Sequence, residues 1–503
     1  MKPFVKEGLK EIEIVKRFAD FGFQIHPEAI ELFTHYEGSG KNAWHRDLNA
    51  MVECVTKSLD SSICVISREH LTDFINDTGT RDDKGDKTVI TPQVQGEPPA
   101  PDILLSFPEH GQAADHKQFL PQFIDRYERL SGIIKKRLKC GQIRFLKGGM
   151  GGEDTSVVGM VSSINKTAKG NLRVELEDPT GSLSVIVSPQ EELLLDEVIG
   201  VTGFLTQGRY FIANRITYPD VPLANSASQS SLPSADAEKE RQTNASPYAV
   251  FISDMHVGSN TFLEDAWDSF MSWLKEKAER ISYLVVAGDI VDGIGVFPGQ
   301  EEELLVTDIE EQYKIAGGYF HGLPSNIHVV VAPGNHDAVR GAEPQPPLPE
   351  NFRKFFPTTT CFVSNPAYIQ IGGRKVLIYH GQSYDDLVNS VSRLSYSKPE
   401  DAMIEMMRRR HLAPIYGNIV SIAPNGHDYG VIDQVPDILH CGHTHTVGQA
   451  KYRNVLLINS GTWQAQTPFQ KKRDITPVAG CATIVELNTM KVKIMDFGSK
   501  AGA

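Results

Sequence analysis

The chain has 503 residues, of which 40% are hydrophobic and 22% are charged, as is typical of a globular protein of about three domains. A formal net charge of −13 argues against a protein held on DNA by bulk positive charge, because neutralising phosphates takes clustered Lys and Arg. The six cysteines lack C-x-x-C spacing, no apolar run reaches the roughly 20 residues of a membrane span, and the N-terminus lacks a signal sequence. We therefore expect a cytoplasmic protein with reduced thiols.

Residues 1–75 are predicted to form a small N-terminal helical module. Val5, Leu9 and Ile12 recur at helical spacing, and Gly22 gives a stop signal. Since the histidines of this module have no partners at metal-ligand spacing, we interpret it as a docking unit.

Residues 76–117 are rich in Asp, Gly, Pro, Lys and Gln. A stretch of this composition buries too little apolar surface to offset the entropy lost on ordering. It is therefore predicted to be a disordered linker.

Residues 118–220 are predicted to form an OB-fold domain with a leading helix. The helix is expected from about Gln118 to Lys139, and its basic end, 135–139, is as compatible with a solvated face as with a nucleic-acid contact. A second helix is expected near 191–195. Five apolar runs are predicted strands: 156–161, 172–176, 182–187, 198–204 and 210–212. Such a barrel can bind a single strand or a protein, and the lack of local basic charge favours the protein interface.

Residues 221–246 are rich in serine and are predicted to be a second linker, and residues 247–498 a large α/β domain. In this domain polar motifs directly follow β-rich apolar runs, which is where open α/β sheets gather their ligands. The motifs are Ser253-Asp-Met-His256, Gly288-Asp289, Gly334-Asn-His-Asp337, His380-Gly381 and Gly442-His-Thr-His445.

These motifs offer carboxylate, amide and imidazole groups and no thiolate. Oxygen and imidazole donors suit Mn, Fe, Zn or Ni and do not choose among them. A lone histidine after a strand is usually structural, but five such motifs in this order indicate a metal site. Two neighbouring divalent ions need one bridging carboxylate, for which Asp289 is the best candidate.

This series of motifs resembles the calcineurin-like metallophosphoesterase superfamily. The resemblance implies a two-sheet α/β domain in which one ion is held by Asp254, His256, Asp289 and His445. It implies that the second ion is held by Asp289, Asn335, His380 and His443. It also implies that His336 is the general acid that protonates the leaving oxygen, and that Asp337 orients it. The chemistry agrees, since two ions stabilise developing charge, an imidazole donates the proton and a neighbouring carboxylate fixes its tautomer.

Further motifs are similar to those of the small subunit of archaeal family D DNA polymerase. They are Pro333-Gly-Asn-His-Asp337, where protein phosphatases of the superfamily usually have Arg-Gly-Asn-His-Glu, the run that follows it, Ala338-Val-Arg-Gly-Ala-Glu-Pro-Gln-Pro346, and the motifs Gly288-Asp-Ile-Val-Asp-Gly293, Pro298-Gly-Gln-Glu-Glu-Glu303 and Tyr379-His-Gly-Gln-Ser-Tyr-Asp-Asp386. This resemblance implies a 3′–5′ exonuclease that removes misincorporated nucleotides from a single-stranded DNA 3′ end, in a heterodimer with a large subunit that performs synthesis. For the two divalent ions we expect Mn, with Fe, Zn or Ni as alternatives.

Two other hypotheses remain open at this point. The chain could be a mainly structural scaffold for the polymerase large subunit, as in the related eukaryotic B subunits that have lost the metal ligands, although this chain keeps every one. It could instead be a small-molecule or protein phosphoesterase, which the barrel and the linkers disfavour. The basic runs Arg408-Arg-Arg-His411 and Lys471-Lys-Arg473 could guide a strand or serve solubility.

Overall fold

The structure, a computed structural model, describes residues 98–108, 115–146, 154–206, 210–223, 247–472 and 475–498, together with two short strands nearer the N-terminus. Those strands, β1 (Gln24–Ile25) and β2 (Val65–Ile66), pair in parallel within a separate unit, Met1–Thr91. Outside the described residues lie the rest of the predicted helical module, residues 76–97 and 109–114 of the first predicted linker, and residues 224–246 of the second.

The remaining elements all belong to the second unit, Pro92–Ala503. Its strands are β3 (Asp102–Ser106), β4 (Thr155–Lys166), β5 (Leu172–Asp178), β6 (Gly181–Val187), β7 (Val198–Leu205), β8 (Phe211–Thr217), β9 (Tyr248–Ile252), β10 (Ile281–Ala287), β11 (His328–Ala332), β12 (Cys361–Phe362), β13 (Ala367–Ile371), β14 (Arg374–Ile378), β15 (Ile438–Cys441), β16 (Gly448–Tyr452), β17 (Val455–Asn459), β18 (Cys481–Glu486) and β19 (Lys491–Asp496). Its helices are α1 (Phe119–Lys135), α2 (Ile143–Leu146), α3 (Glu264–Glu276), α4 (Ile309–Phe320), α5 (Glu350–Arg353), α6 (Tyr384–Ser390), α7 (Pro399–Arg409) and α8 (Pro468–Lys472). Within the described ranges, none of the helices has the length and apolar character needed to cross a membrane.

Strands β4 to β8 close into a five-stranded barrel in the order β4-β5-β6-β8-β7, as the alternating sequence pattern predicts. Alternate side chains of the barrel strands, such as Val174, Leu176 and Val185, fill its interior. The leading helix α1 packs on β4 and β7, where Leu130 and Ile134 contact the barrel.

The helix predicted near 191–195 is absent, and that prediction is wrong. This segment connects two separate cores, because Leu193 packs inside the barrel whereas Leu194 packs into the large domain. Its backbone groups are used by side chains: the amide of Leu194 donates to Glu197 Oε1 at 2.9 Å, and the carbonyl of Glu192 accepts from Arg409 at 2.8 Å. These bonds replace the internal bonds of a helix.

The large domain has the predicted two-sheet α/β architecture. Its six-stranded sheets have the orders β12-β11-β10-β9-β18-β19 and β16-β17-β15-β14-β13-β3. Their inner faces pack together through residues such as Phe251, Ile369 and Ile438. Helices α3 and α4 cover the outer face of the first sheet, and α6 and α7 cover that of the second. The parallel strands β9, β10 and β11 end side by side, so the loops that follow them meet at one edge.

The predicted disordered linker requires a correction for residues 98–108. Strand β3 pairs antiparallel with β13 and forms an edge of the second sheet. It is held there by the buried Phe107, whose amide donates to Ser364 Oγ at 2.7 Å, and by the carbonyl of Pro99, which accepts from Tyr283 at 2.8 Å. The composition of the 42-residue linker as a whole does not reveal β3, because this short segment is ordered only by pairing with β13.

A buried ion pair fixes helix α1 to the large domain. Arg126 Nε donates to Asp428 Oδ2 at 2.6 Å, and the two side chains are only 1% and 4% exposed. His411 Nε2 lies 3.1 Å from the same oxygen, and the amide of Gly430 donates to Oδ1 at 2.9 Å. Burial favours the neutral carboxyl, but Arg126 outweighs burial and lowers the pKa of Asp428 below its usual value.

Replacing Arg126 with Met should lower the free energy of unfolding by about 3–5 kcal/mol at pH 7, because the Asp428 carboxylate stays buried without its cation. The lowered pKa of Asp428 means that the pair contributes fully above the unfolded pKa of about 3.9 and is lost as the pH falls below it. The deficit of R126M, measured by urea unfolding, should therefore shrink progressively at lower pH.

The matched control is Lys354→Met, which breaks an exposed pair with Glu310 at 2.9 Å. Exposed pairs contribute about 0–1 kcal/mol, so this variant should unfold close to the wild type. Equal losses in the two variants at pH 7 would contradict the assignment.

Candidate metal centre

The predicted ligand side chains lie on the loops that follow β9, β10, β11, β14 and β15, and the backbone of five of these residues is strained. Asp254, His256, Asp289, His443 and His445 all have left-handed backbone, with φ between 51° and 68°. Such φ values are uncommon outside glycine, cost on the order of 1–3 kcal/mol each and cluster at functional sites. Backbone bonds between the first two loops hold the conformation, such as that from the Asp254 amide to the Gly288 carbonyl at 2.9 Å.

Two glycines let these loops approach one another. A Cβ atom on Gly442 would lie 2.4 Å from Asp254 Oδ2, and one on Gly334 would lie 2.2 Å from Asp289 Oδ1. In place of a side chain, the adjacent His443 amide donates to the Asp254 carboxylate at 2.9 Å. Glycine is needed at both positions for close packing against a carboxylate.

Asp254, His256 and His445 form the first half of the centre. His445 Nε2 lies 3.4 Å from Asp254 Oδ1 and 3.0 Å from His256 Nε2. All three side chains are buried, and their ligand atoms lie within 4.8 Å of one another. A set of this size and composition could hold one cation.

Asp289, Asn335, His380 and His443 form the second half. His380 Nε2 lies 3.2 Å from Asp289 Oδ2, and Asn335 Oδ1 lies 3.0 Å from both His380 Nε2 and His443 Nδ1. Asp289 Oδ2 is also 3.8 Å from His256 Nε2, so this carboxylate lies between the two halves. The structure thus brings all seven predicted ligand residues together.

Carboxylates and imidazoles stabilise each other's charged forms in this centre. Burial disfavours the charged ring of His256, but Asp292 and Asp289 prevail and raise its pKa to about 9. At His380, Asp289 likewise outweighs burial, and the pKa of the His380 ring rises to about 10. Burial by itself would raise the pKa of Asp289, but His380 outweighs burial and lowers it.

His336 lies at the edge of the centre, with its ring centroid 4.7 Å from that of His256. Its Nδ1 is 2.7 Å from the carbonyl oxygen of Asp292, which fixes Nδ1 as the protonated nitrogen of the neutral ring. Burial lowers the pKa of His336.

Asp337 does not orient the His336 ring by direct contact, which corrects the prediction. Within the described ranges no hydrogen bond joins the two side chains. The Asp337 carboxylate accepts instead from the amides of Gly334 at 2.8 Å and Ile290 at 3.2 Å, and from the Tyr313 hydroxyl at 3.0 Å. Burial raises the pKa of Asp337 to about 6. Asp337 therefore shapes the loop, and the carbonyl of Asp292 orients the ring.

Three residues missed in the sequence support the ligands from behind. Asp292 Oδ1 lies 2.9 Å from His256 Nδ1, Gln470 Nε2 lies 2.7 Å from His445 Nδ1, and Asp385 Oδ2 lies 3.4 Å from His443 Nε2. Asp292 falls inside the motif Gly288-Asp-Ile-Val-Asp-Gly293, so its position was a usable signal. Asp385 likewise falls inside the motif Tyr379-His-Gly-Gln-Ser-Tyr-Asp-Asp386, whereas Gln470 meets its histidine only through the fold.

Three residues of the basic run 408–411 are internal in the structure, and the side chain of Arg408 is 34% exposed. Arg409 pairs with Glu197 and Glu405, Arg410 donates to backbone carbonyls, and His411 contacts Asp428. These three side chains are buried, so neither strand guidance nor solubility explains them. In the second run, 471 and 472 are exposed and 473 lies outside the described residues.

The centre opens into a cleft. It is lined by His336, by further polar side chains such as Glu303 and Gln464, by a few apolar side chains, and by five of the candidate ligands: His256, Asp289, Asn335, His443 and His445. The apolar lining residues are Val296, Phe297, Tyr396 and Ile475.

Comparison with known proteins identifies the class of protein to which this chain belongs. Residues 249–447, which contain the centre, match the family of the B subunits of DNA polymerases alpha and epsilon. The DNA polymerase II small subunit of Archaeoglobus fulgidus is 44% identical over 76% of this chain and 78% of its own, and that of Methanothermobacter thermautotrophicus is 41% identical over 75% and 78%. The chain therefore belongs to the family of DNA polymerase II small subunits. Among solved structures, Vps29 of Entamoeba histolytica is similar at 17% identity and a TM-score of 0.25, covering 50% of this chain and 99% of its own.

Replacing Gly442 with Ala should weaken divalent-cation binding by about 10- to 100-fold, the range typical of changes behind the ligands of metal sites. The added methyl group would displace the Asp254 carboxylate. Isothermal titration with Mn²⁺ measures the effect. Gly341→Ala is the control, because a Cβ there meets no atom within 4 Å. Wild-type affinity in G442A would argue against Asp254 as a ligand.

Proposed function

We propose that this chain is the proofreading 3′–5′ exonuclease subunit of a heterodimeric replicative DNA polymerase. The observation that supports this most directly is the buried cluster in which Asp289 lies between two sets of donors, with His336 at its edge. It occurs in a chain whose relatives are polymerase small subunits. The substrate would be the last phosphodiester at a single-stranded DNA 3′ end.

The donor set fits two divalent ions. Asp254, His256 and His445 would hold one, Asn335, His380 and His443 the other, and Asp289 would bridge them. Carboxylate, amide and imidazole donors suit Mn, which we propose, as well as Fe, Zn or Ni. When bound, two such ions supply Lewis-acid stabilisation of the phosphate charge and a nucleophile at neutral pH.

His336 would act as the general acid. Its Nδ1 proton stays bonded to the Asp292 carbonyl, so Nε2 is the atom that gains and loses a proton during the reaction. Water adds to phosphorus, the bond from phosphorus to the 3′ oxygen breaks, and that oxygen takes the proton from Nε2. The products are a nucleoside 5′-monophosphate and a strand shortened by one residue. Because burial lowers the pKa of His336, its charged form gives up the proton readily.

The remaining parts of the chain would serve assembly. We propose that the barrel is an OB-fold and that it, with the N-terminal module, contacts a large catalytic subunit in the cytoplasm. The partner would then supply much of the DNA-binding surface, which suits the net charge of −13. The presence of all seven candidate ligands in one cluster argues against a purely structural subunit.

Replacing His336 with Ala should leave the bound metal in place and reduce release of nucleotides from a 3′ end by at least about 100-fold, the lower range for loss of a general acid. Excision is measured on a 5′-labelled single strand with Mn²⁺, and metal content by elemental analysis. His321→Ala, at an exposed histidine bonded to the Phe355 carbonyl, is the matched control. Undiminished cleavage by H336A would remove His336 from the mechanism.

Asp289→Asn should abolish both metal retention and excision, since it removes the bridging charge. Complex formation with the large subunit, followed by co-purification, should stay unchanged. The structural-scaffold hypothesis predicts instead that the wild type itself contains no stoichiometric metal. A metal-free wild type that forms the complex would favour that hypothesis.

A further inference from the structure

We propose that residues 293–299 form a stacking finger that holds an unpaired nucleobase against Phe297 at the mouth of the metal centre. This inference rests on the proposed function, because it names how that site receives the terminal nucleotide. The ligand is the base of a single-stranded DNA 3′ end, of any sequence.

The finger presents apolar side chains to the cleft, which suits contact with the flat, uncharged face of a nucleobase. Its sequence is Gly-Ile-Gly-Val-Phe-Pro-Gly, without a polar side chain. Ile294 and Val296 are 45% and 38% exposed, and Val296 and Phe297 line the cleft. A single exposed hydrophobic residue needs no explanation, but a run of them beside a catalytic cleft indicates a binding surface.

The base of the finger is fixed to the metal centre. Gln300 is fully buried: its Oε1 accepts from the Val296 amide at 2.9 Å, and its Nε2 donates to the Asp292 carbonyl at 2.7 Å and carboxylate at 3.1 Å. Gln312 bonds both the amide and the carbonyl of Gly293, at 2.9 and 3.2 Å. The exposed tip is therefore positioned relative to the residues that would hold the scissile phosphate.

Phe297 lies next to the proton donor. Its ring centroid is 6.4 Å from that of His336. His336 would act on the leaving 3′ oxygen of the penultimate nucleotide. The terminal nucleotide is joined to the same phosphorus through its 5′ oxygen, so its base also falls within reach of Phe297. Tyr396 and Ile475 line the same cleft and extend the apolar surface.

Charge separates the two ends of the substrate. Glu303 also lines the cleft and would repel a second phosphate. The phosphate would therefore lie at the centre, and the uncharged base would lie on the finger. Stacking tolerates all four bases, because each has a π face.

This arrangement would select mispaired ends. A base can stack on Phe297 only after it leaves its duplex, and unpairing is easiest for a mismatched base. The finger therefore converts weak pairing at the 3′ end into preferential excision, without reading the sequence.

The test uses a single-stranded oligonucleotide with 2-aminopurine as its 3′-terminal base, whose fluorescence falls on stacking. All proteins also contain H336A, so that excision is slowed by about 100-fold or more while binding is measured, and Mn²⁺ is present. Adding Phe297→Ala or Phe297→Leu should abolish the quenching and weaken binding about 10-fold or more, the scale of one lost base–aromatic stack. Phe297→Tyr should retain the quenching. Phe145→Ala, at a phenylalanine that is 66% exposed on α2, is the matched control and should bind and quench unchanged.

Unchanged quenching in both F297A and F297L would overturn the finger, and so would equal loss in F145A. A separate measurement with His336 intact compares excision of mispaired and paired 3′ ends. The mispaired preference should fall in F297L. If the wild type releases no nucleotides at all, the proposed exonuclease function fails, while the quenching experiment still decides whether the finger binds a base.

Discussion

The structure depends most on the charged side chains that are buried together where its strands end. Asp254, Asp289 and Asp292 are all at most 2% exposed, and carboxylates in such a place must be compensated. His256 and His380 supply that compensation, because the surrounding carboxylates outweigh burial and raise the pKa values of the two rings. Bound divalent cations would take over the same role, which is why a cluster that is costly as protein alone makes sense as a metal centre.

A cluster of this kind also has to be held against its own backbone strain. The left-handed conformation of Asp254 is stabilised from outside its loop, since its carbonyl accepts from the Trp463 amide at 2.9 Å and from Thr462 Oγ1 at 2.8 Å. Trp463 is itself fully buried among the aromatic residues that cover the first sheet. The two packed sheets therefore act as a rigid support, and the free energy of their core offsets the strain at the ligands.

The sequence predicts the parts of this arrangement that are local. Strands β9, β10, β11 and β15 are continuous apolar runs, and the polar motifs stand directly after them, so both the sheet and the ligands could be inferred. Contacts between distant segments could not. Gln470 reaches His445 across 25 residues, and β3 becomes a strand only because β13 offers it a free edge. The expected helix at 191–195 failed for the same reason, since its leucines face two different cores.

Asp292 contacts three residues that lie far apart in the sequence and belong to different parts of the site. Its carboxylate contacts His256 and Gln300, and its carbonyl contacts His336 and Gln300. A displacement of this one residue would therefore act at once on a candidate metal ligand, on the proposed proton donor and on the base of the proposed finger. If the proposed function holds, metal occupancy, proton transfer and placement of the terminal base would be mechanically coupled, so a strand end that does not seat its base would also meet a less well ordered centre. Such coupling would give the proposed exonuclease a physical reason to leave correctly paired ends uncut.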